Sequence, residues 1–513
     1  MNVAVDVLSI RPDGSAGGAT GYAIELIKGM AKRKDIKVTV LCADWNIEYL
    51  SGILPQKVTL RQMTGNTKET GIKILNRGLA FLDDKHRRKV LQRDKIDVLF
   101  CPFSAPTYRD PDVPTVSAIL DIQHEFYPQF FSKEELGARR NFYRDIVANV
   151  ERVVCISDYT KKTFCEKYGF PPEQAETVYI AVQERFAEED KKILEKLNVA
   201  DNKYIVYSAN FWEHKNHRML LTAYAKYVRQ GGTLKLVLTG NPLKEQQYYD
   251  DILKKMEISD MVKITGYVTE SELFAILKHA KGIIYPSLFE GFGIPIVEAM
   301  QLNKLIACSN MTSLPEIGCD AIYYFDPRKP DDILSGIEFL DNTQISEEII
   351  SQYKIKLEDY KTDVMVEKYI NIFDDTIKNR DKYKKHVFIE RVQGIYQDNW
   401  TQKRVTIACK DKKGYKLVFK AELPPILLIP MIVTVSDNNG SERHIIRRGK
   451  KLFIEKRLDD NEVEIVIEFS YTWLPRLVMG VKDNRRVSVH IEKCSLVGPN
   501  NEEDSLLNME DKL

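Results

Sequence analysis

The strongest constraint on this chain is the alternation of short β-branched runs with longer helical patterns between residue 3 and about residue 370. Such alternation predicts parallel sheets joined by crossover helices. The predicted strands form one series of five between residues 3 and 156 and a second series of six between 204 and 325. Because these are too many strands for one sheet of usual size, we predict two α/β domains, residues 1–185 and 186–376.

The pattern changes after about residue 386. From 387 to 497, polar and apolar residues alternate in runs that have turn signals, but no helical patterns, between them. This texture predicts an all-β sandwich appended to the α/β pair. The acidic residues 498–513 are expected to form a flexible tail.

Composition narrows the class of protein. The 513 residues carry 75 Lys and Arg against 74 Asp and Glu, a net charge of +1, so no nucleic-acid partner is predicted. Eight cysteines without a CxxC pair indicate buried thiols in a reducing compartment. The longest apolar run, 423–433, contains three prolines and is about half as long as a membrane helix, and the N-terminus has no signal-peptide pattern. We therefore expect a cytoplasmic protein, whose oligomeric state is left open.

A glycine-rich loop separates the first predicted strand from the first helix. Its Gly17 and Gly18 would let backbone amides approach a phosphate or an acceptor, although a flexible loop at a helix start is an equal alternative. As a dinucleotide fingerprint the loop is poor, because Ile24 stands where the third glycine belongs. The broken motif argues against an NAD(P)-dependent oxidoreductase, and only tight binding of NAD(P) would revive that hypothesis.

Two further segments place charge at the carboxyl edge of the second sheet. Lys215 lies near a helix start after strand 204–208, where a cation beside the positive helix end suits a diphosphate leaving group. The second segment is 285–308, in which Glu290 lies in a glycine-containing loop and Glu298 lies eight residues later, about two turns into a helix. The two carboxylates are thus predicted at different depths of one cleft.

At residues 290–298 the sequence EGFGIPIVE resembles the Glu-x7-Glu motif of the retaining, GT-B-fold glycosyltransferases of family four, the glycosyl transferases group 1. Residues 214–217, 266–287 and 314–318 resemble neighbouring motifs of that family, and the resemblance extends over about residues 1–375. It implies the GT-B architecture, in which two Rossmann-like domains face each other across a cleft.

By position, the resemblance implies catalytic roles for Glu290, Lys215 and His124, with His124 on the facing domain near the sugar. It also implies a set of donor-binding residues, which are Glu298, Gly291, Phe292, Gly293, Ile294, Gly266, Tyr267 and Val268. One position departs from the family. Asn210 stands where the family commonly has a second arginine for the diphosphate, so either another base supplies that charge or Asn210 acts as a neutral donor.

The expected chemistry is glycosyl transfer through a sugar with oxocarbenium character, in which the enzyme positions the sugar and stabilises the departing diphosphate. No cofactor and no metal are predicted, because the Asp-Pro-Asp at 110–112 reads as a turn. Retention without a covalent intermediate is expected from the family, and a covalent intermediate on Glu290 is the alternative.

The expected function is transfer of a sugar from a nucleotide diphosphate donor to a bacterial surface polysaccharide, such as O-antigen or capsule, or to its lipid-linked precursor. Residues 121–124 and 211–217 resemble segments of polysaccharide mannosyl- and rhamnosyltransferases, a resemblance that implies GDP-mannose as the donor, and UDP and dTDP sugars stay open. The alternative is an inactive glycan-binding or scaffold protein with a relic transferase core.

Two peripheral features complete the expectations. The basic stretch 85–95 could contact anionic lipid at the inner membrane face, with a solvated helix face as the alternative. In the predicted sandwich, Trp400, Trp473 and Arg485 are candidate glycan contacts, although packing is the better expectation for the tryptophans.

Overall fold

The fold consists of two parallel α/β domains followed by an antiparallel sandwich, as the sequence predicts. The computed structural model describes residues 1–12, 18–63, 90–102, 109–110, 112–182, 188–242, 246–383, 391–395, 399–437, 439–473 and 487–507. Within these residues, no helix is both long enough and apolar enough to cross a membrane.

The first domain is built on a seven-stranded parallel sheet of order β3-β2-β1-β4-β5-β6-β7. Its strands are β1 Asn2–Asp6, β2 Lys37–Cys42, β3 Thr59–Gln62, β4 Val98–Cys101, β5 Thr115–Ile119, β6 Arg152–Cys155 and β7 Ala175–Thr177. Its helices are α1 Gly18–Lys32, α2 Ile47–Ile53, α3 Val90–Arg93, α4 Lys133–Asn149 and α5 Asp158–Tyr168. The order reverses between β1 and β4, which opens a crevice at the carboxyl ends of the strands.

The second domain repeats this design with a six-stranded parallel sheet of order β10-β9-β8-β11-β12-β13. Its strands are β8 Tyr204–Ser208, β9 Lys235–Thr239, β10 Val262–Ile264, β11 Gly282–Tyr285, β12 Leu305–Ser309 and β13 Tyr323–Phe325. Its helices are α6 Lys192–Leu197, α7 His217–Arg229, α8 Gln246–Lys255, α9 Glu270–His279, α10 Ile294–Gln301, α11 Leu314–Ile317, α12 Pro330–Asn342 and α13 Glu347–Leu357.

The last long helix, α14 (Thr362–Lys378), leaves the second domain and packs on the first, and the short α15 (Arg380–Tyr383) follows it. The hydroxyls of Tyr22 on α1 and Tyr369 on α14 are hydrogen-bonded in the interior. A Cβ added at Gly29 of α1 would lie 2.4 Å from Val366 of α14, so this close approach of two helices needs a glycine.

The sandwich pairs a five-stranded sheet of order β14-β15-β20-β17-β18 with a four-stranded sheet of order β19-β16-β21-β22. Its strands are β14 Arg391–Ile395, β15 Thr401–Lys410, β16 Lys416–Glu422, β17 Met431–Asp437, β18 Gly440–Ile446, β19 Lys451–Arg457, β20 Glu462–Phe469, β21 His490–Val497 and β22 Glu503–Ser505. Alternate residues point into a separate core that includes Phe419, Val433 and Ile467.

The prediction missed five of these strands, and all five lie at sheet edges: β3, β7, β14, β18 and β22. Edge strands face fewer neighbours, so they carry less of the apolar pattern on which the prediction relies. The expectation of a flexible tail is wrong for β22, because it pairs with β21 and Glu503 forms a 2.7 Å ion pair with Lys493.

The contact between α1 and α14 can be tested with two glycine substitutions. We expect Gly29→Ala to destabilise the protein by about 1–3 kcal/mol, because the new methyl group overpacks against Val366. Gly52→Ala in α2 is the matched control, since a Cβ there meets nothing within 4 Å and alanine favours a helix by up to about 1 kcal/mol. Melting temperatures measure both, and equal effects would contradict the packing argument.

Candidate active site

The candidate site lies at the carboxyl edge of the second sheet, where β11 ends at Tyr285 and the loop 286–293 leads into α10. Beside this loop, the 3-10 turn Glu213–Lys215 precedes α7. The amide of Leu288 donates to the carbonyl of His214 at 2.7 Å, which joins the loop to the turn. The two predicted segments therefore form one structural unit.

A buried ion pair occupies the centre of this unit. Lys215 Nζ lies 2.5 Å from Glu290 Oε1 and also donates to the hydroxyl of Tyr285 at 3.2 Å. Burial pushes the pKa of Glu290 upwards, but Lys215, His214 and the hydroxyl of Ser287 outweigh it and hold the pKa below its ordinary value. Glu290 is thus an anion, and Lys215 neutralises it.

Glu290 Oε1 is held by three donors. The Tyr285 hydroxyl donates at 3.0 Å and Ser287 Oγ lies 2.6 Å away, in addition to Lys215. No residue in the described part of the chain donates to the other oxygen, Oε2. One carboxylate oxygen is therefore anchored in the protein, and the other is available to a ligand.

The loop that carries Glu290 is also held through its backbone. The Glu290 amide donates to Thr312 Oγ1 at 3.1 Å, and Ser313 Oγ lies 2.7 Å from the carbonyl of Phe292. Gly293 is the N-cap of α10 and has φ +130°, a backbone angle that residues other than glycine rarely adopt. The amides of the loop are thereby fixed at the start of a helix, where they favour an anionic or hydroxylated ligand.

The other predicted donor residues lie around this centre. Glu298 is buried in the second turn of α10, and the Phe292 side chain packs between Tyr179 and Tyr360, so Phe292 offers only its amide. Asn210 Oδ1 accepts from the Asn241 amide at 3.2 Å and thus braces the β8 and β9 loops.

The predicted base-flanking segment follows β10. The amide of Gly240 donates to the carbonyl of Gly266 at 3.1 Å, which brings this segment to the same sheet edge. Tyr267 is exposed and Val268 packs partly against the core. On the first domain, Gly18 begins α1, whereas Gly17 lies outside the described residues.

The first domain closes directly on the Glu290 loop. A Cβ on Gly291 would lie 1.9 Å from the carbonyl oxygen of Leu120, so only glycine permits this contact. The carbonyl of Gly291 accepts from Ser157 Oγ at 2.8 Å. Across the same boundary, the Glu316 carboxylate accepts from the amides of Asp158 and Tyr159 at the start of α5, at 2.6 and 3.0 Å.

Phe289 adds an apolar contact to this closure. Its ring is buried and packs against Phe126, Tyr127 and Tyr159 of the first domain, with ring centroids 5.4 to 6.2 Å apart. Because Phe289 immediately precedes Glu290, the same loop both positions the carboxylate and joins the domains.

His124 lies on the first domain, and its role near the sugar stays a prediction. Its side chain is buried inside the first domain, where it stacks on Tyr143 at 5.2 Å and Nε2 lies 2.8 Å from the Tyr168 hydroxyl. Burial lowers the pKa of His124 to about 4, so the ring is neutral. The described contacts tie it to this aromatic cluster and not to the Lys215–Glu290 pair.

Asp121 is the acidic residue of the first domain that approaches the pair, and the sequence reasoning missed its role. A Cβ on Gly291 would lie 3.1 Å from the Cβ of Asp121. Burial raises the pKa of Asp121, and the charge of Glu290 adds to this effect. Its place two residues after buried β5, at the carboxyl edge of the sheet, is the signal that could have identified it.

The remaining predicted features are the candidate glycan contacts of the sandwich and the basic stretch. Trp473 is buried and its indole N–H donates to the carbonyl of Ser488 at 2.8 Å, so it is a packing residue, as was the better expectation, and not a glycan contact. Trp400 is half-buried and packs against Trp473 at 5.2 Å. Arg485 lies outside the described residues, as does the first part of the basic stretch 85–95.

Comparisons with known proteins match both α/β domains. The family Glycosyltransferase Family 4 matches residues 16–185, and the family Glycosyl transferases group 1 matches residues 189–357. Among curated relatives, O-antigen chain mannosyltransferase B of Escherichia coli is 26% identical over 227 residues, which cover 43% of this chain and 60% of that protein. The chain thus spans less than two thirds of that relative.

A second relative is aligned over most of its length. O-antigen chain mannosyltransferase RfbU of Salmonella typhimurium is 21% identical over 356 residues, which cover 68% of this chain and 94% of that protein. Among solved structures, Anabaena HepE in complex with UDP and glucose superposes with a TM-score of 0.57 at 17% identity, over 73% of this chain and 100% of that one. TarM superposes with a TM-score of 0.56 at 12% identity, over 73% and 98%. These structures share the fold of the two α/β domains.

The buried pair can be tested by removing one charge and then both. In the parent protein, the depressed pKa of Glu290 adds stability above the ordinary carboxylate pKa, and this stability is lost as the pH falls through the depressed value. Lys215→Met leaves the buried carboxylate without its cation, so we expect a loss of about 3 kcal/mol at neutral pH. The loss becomes smaller in acid, where Glu290 takes up a proton.

The control is the double variant Lys215→Met/Glu290→Gln, which removes both charges and is expected to recover most of the stability. Melting temperatures across the pH range measure all three proteins. If the double variant is as unstable as Lys215→Met at neutral pH, the loss does not come from an unpaired Glu290.

Proposed function

We propose that the protein is a retaining GT-B glycosyltransferase of group 1 that uses a nucleotide diphosphate sugar, because the models of Glycosyltransferase Family 4 and of Glycosyl transferases group 1 match its first and second α/β domains. The observation that carries this proposal is the Lys215–Glu290 pair at the carboxyl edge of the second sheet. In the proposed roles, Lys215 is the cation for a leaving group and Glu290 beside it is the acceptor for a sugar hydroxyl, and the two segments that carry them are joined by the Leu288–His214 hydrogen bond.

Lys215 is proposed to bind the donor diphosphate. Its ammonium lies just before the first turn of α7, so its charge adds to the positive end of a helix of 13 residues. The diphosphate is proposed to bind as a second anionic partner of Lys215, which keeps its contact with Glu290, and Tyr285 stays within 3.2 Å to orient the ammonium group. The negative charge that develops on the leaving group is then stabilised where it forms.

Glu290 is proposed to hold the transferred sugar through Oε2, while Oε1 stays anchored by Lys215, Tyr285 and Ser287. A carboxylate that accepts three hydrogen bonds is a weak nucleophile, which favours a hydrogen-bonding role over a covalent intermediate. Glu298, buried in the second turn of α10, is proposed to accept from the ribose hydroxyls.

In the proposed reaction, the bond between the anomeric carbon and the diphosphate oxygen breaks, and the acceptor oxygen bonds to that carbon on the same face. Because the new bond forms on the face that the diphosphate leaves, the configuration of the anomeric carbon is retained. The acceptor hydroxyl passes its proton to the departing diphosphate. Lys215, the helix start and the loop amides provide the positive potential, and we therefore propose a reaction that needs no metal ion or cofactor.

The proposed donor is GDP-mannose, and the proposed acceptor is an O-antigen-type polysaccharide or its lipid-linked precursor. This proposal is supported by two relatives whose names are O-antigen chain mannosyltransferases and by the motifs at 121–124 and 211–217. A UDP or dTDP sugar is the competing donor class. The proposed place of action is the cytoplasm, as the cysteine pattern of the sequence predicts.

The transferase proposal is tested by nucleotide release from GDP-mannose, UDP-glucose and dTDP-rhamnose in the presence of a lipid-linked glycan acceptor. We expect release from GDP-mannose, and we expect Lys215→Ala to lower kcat by about 10²-fold because it removes the leaving-group cation. Arg229→Ala is the matched control, since Arg229 is an exposed base at the far end of α7. Absence of nucleotide binding and of turnover in the intact protein would favour a relic core.

The donor site is tested separately from catalysis by thermal shift. GDP at about one hundred times its Kd should stabilise the protein by about 2.7 kcal/mol, whereas mismatched nucleotides should give little shift. Glu298→Ala should weaken GDP at least about tenfold, because a buried carboxylate no longer accepts from the ribose. The exposed carboxylate variant Glu347→Ala is the control, and equal GDP affinity in both variants would remove Glu298 from the site.

A further inference from the structure

One end of the sandwich is formed by two loops, residues 424–430 between β16 and β17 and residues 447–450 between β18 and β19. The strand registers bring them together, because Glu422 pairs with Lys451 and Met431 pairs with Ile446. This end lies in the sandwich, apart from the cleft between the α/β domains.

The end carries a cluster of exposed aliphatic side chains, here called the apolar tip: Ile426, Leu428, Ile429, Ile432 and Ile445. Leu428 is 74% exposed and Ile429 is 66% exposed. Ile432 and Ile445 are cross-strand partners on the adjacent sheet face, so they extend the same surface. Scattered exposed apolar residues are ordinary, but a contiguous cluster indicates an interaction site.

The apolar tip is held in place by the loop's own contacts. Leu423 and Leu427 point inwards against the sandwich core, and the amide of Leu427 donates to the carbonyl of Pro424 at 3.0 Å. The hydroxyl of Tyr471 donates to the carbonyl of Ile429 at 2.6 Å. Some aliphatic residues of the loop therefore pack in the core and others face solvent. The two hydrogen bonds hold the backbone from which the outward residues project.

Basic side chains border the apolar tip. Arg443, Arg447, Arg448 and Lys450 are exposed, and no ion pair joins any of them to another residue of the described chain. Two nearby carboxylates already have partners. Glu492 forms an ion pair with Lys451, and Glu442 lies 3.5 Å from His444. Glu422 lies at this end, and Glu468 lies across from Thr434 at the level of Arg443. The loop 447–450 carries three basic residues and no acidic one, so the border that it forms is positively charged.

We propose that this end of the sandwich binds an anionic lipid surface, with the apolar tip below the headgroups and the basic border among them. Aliphatic side chains surrounded by Lys and Arg match the layered chemistry of a membrane interface, which is apolar beneath and negative above. A second copy of the chain fits less well, because a two-fold contact would bring two basic borders together.

This inference does not rest on the proposed sugar transfer, because lipid binding needs no turnover. It assigns a role to residues 424–430, which the sequence presents as an apolar run too short to span a membrane. The loop contacts the membrane interface and does not cross it.

The test is co-sedimentation of the full chain with vesicles of phosphatidylcholine alone and of phosphatidylcholine mixed with phosphatidylglycerol. We expect binding to the mixed vesicles, and we expect added salt to weaken it. Leu428→Ser/Ile429→Ser should reduce binding at least about tenfold by removing apolar burial, and Arg447→Glu/Arg448→Glu should do the same by reversing charge. The matched controls are Ile355→Ser, which alters a 72% exposed side chain on α13, and Arg229→Glu.

Two results would overturn the inference. In one, both double variants bind the mixed vesicles as the parent does. In the other, sedimentation without vesicles reveals a dimer that is lost in Leu428→Ser/Ile429→Ser, which would assign the apolar tip to a second copy of the chain. If the serine pair lowers the melting temperature, the charge-reversed pair, which alters only exposed side chains, carries the test.

Discussion

The ion pair between Lys215 and Glu290 is the interaction on which the organisation of the cleft depends. Two charges removed from water are stable only when each is paired and hydrogen-bonded. The pair therefore requires the end of β11, the loop 286–293 and the turn before α7 to keep fixed positions relative to one another. The hydroxyls of Tyr285 and Ser287 complete the shell around Glu290 Oε1. A single carboxylate oxygen therefore determines the shape of the loop that offers its amides and Oε2 to a ligand.

The same loop determines how the two α/β domains meet. Phe289 enters an aromatic pocket of the first domain, Gly291 allows the backbones to touch at Leu120, and Glu316 caps the start of α5. Helix α14 adds a second contact on the far side through Tyr369. Because the charged centre and the domain contact share adjacent residues, closure of the domains and positioning of Glu290 are coupled.

Sequence reasoning found the residues of this centre where they lie close together along the chain. Glu290, Glu298 and the loop glycines occupy one strand–loop–helix unit, and such a unit is readable from spacing. The orientation of His124 could not be read in this way, since a histidine near a strand end can point into the cleft or into the core, and the side chain packs against Tyr143. Sequence reasoning also missed Asp121 and Glu316, whose surroundings come from the other domain.

Residue order predicted the domain types, the central strands and the Glu290–Glu298 loop, because hydrophobic periodicity and short-range spacing act over a few residues. Folding was needed for what joins distant segments: the edge strands, the contact between Lys215 and Glu290, and the contact between Gly291 and Leu120. It also divided the aliphatic run 423–433 into inward and outward residues. The physical reason is that burial and pairing depend on which surfaces meet in space, and a linear pattern of residues does not contain that information.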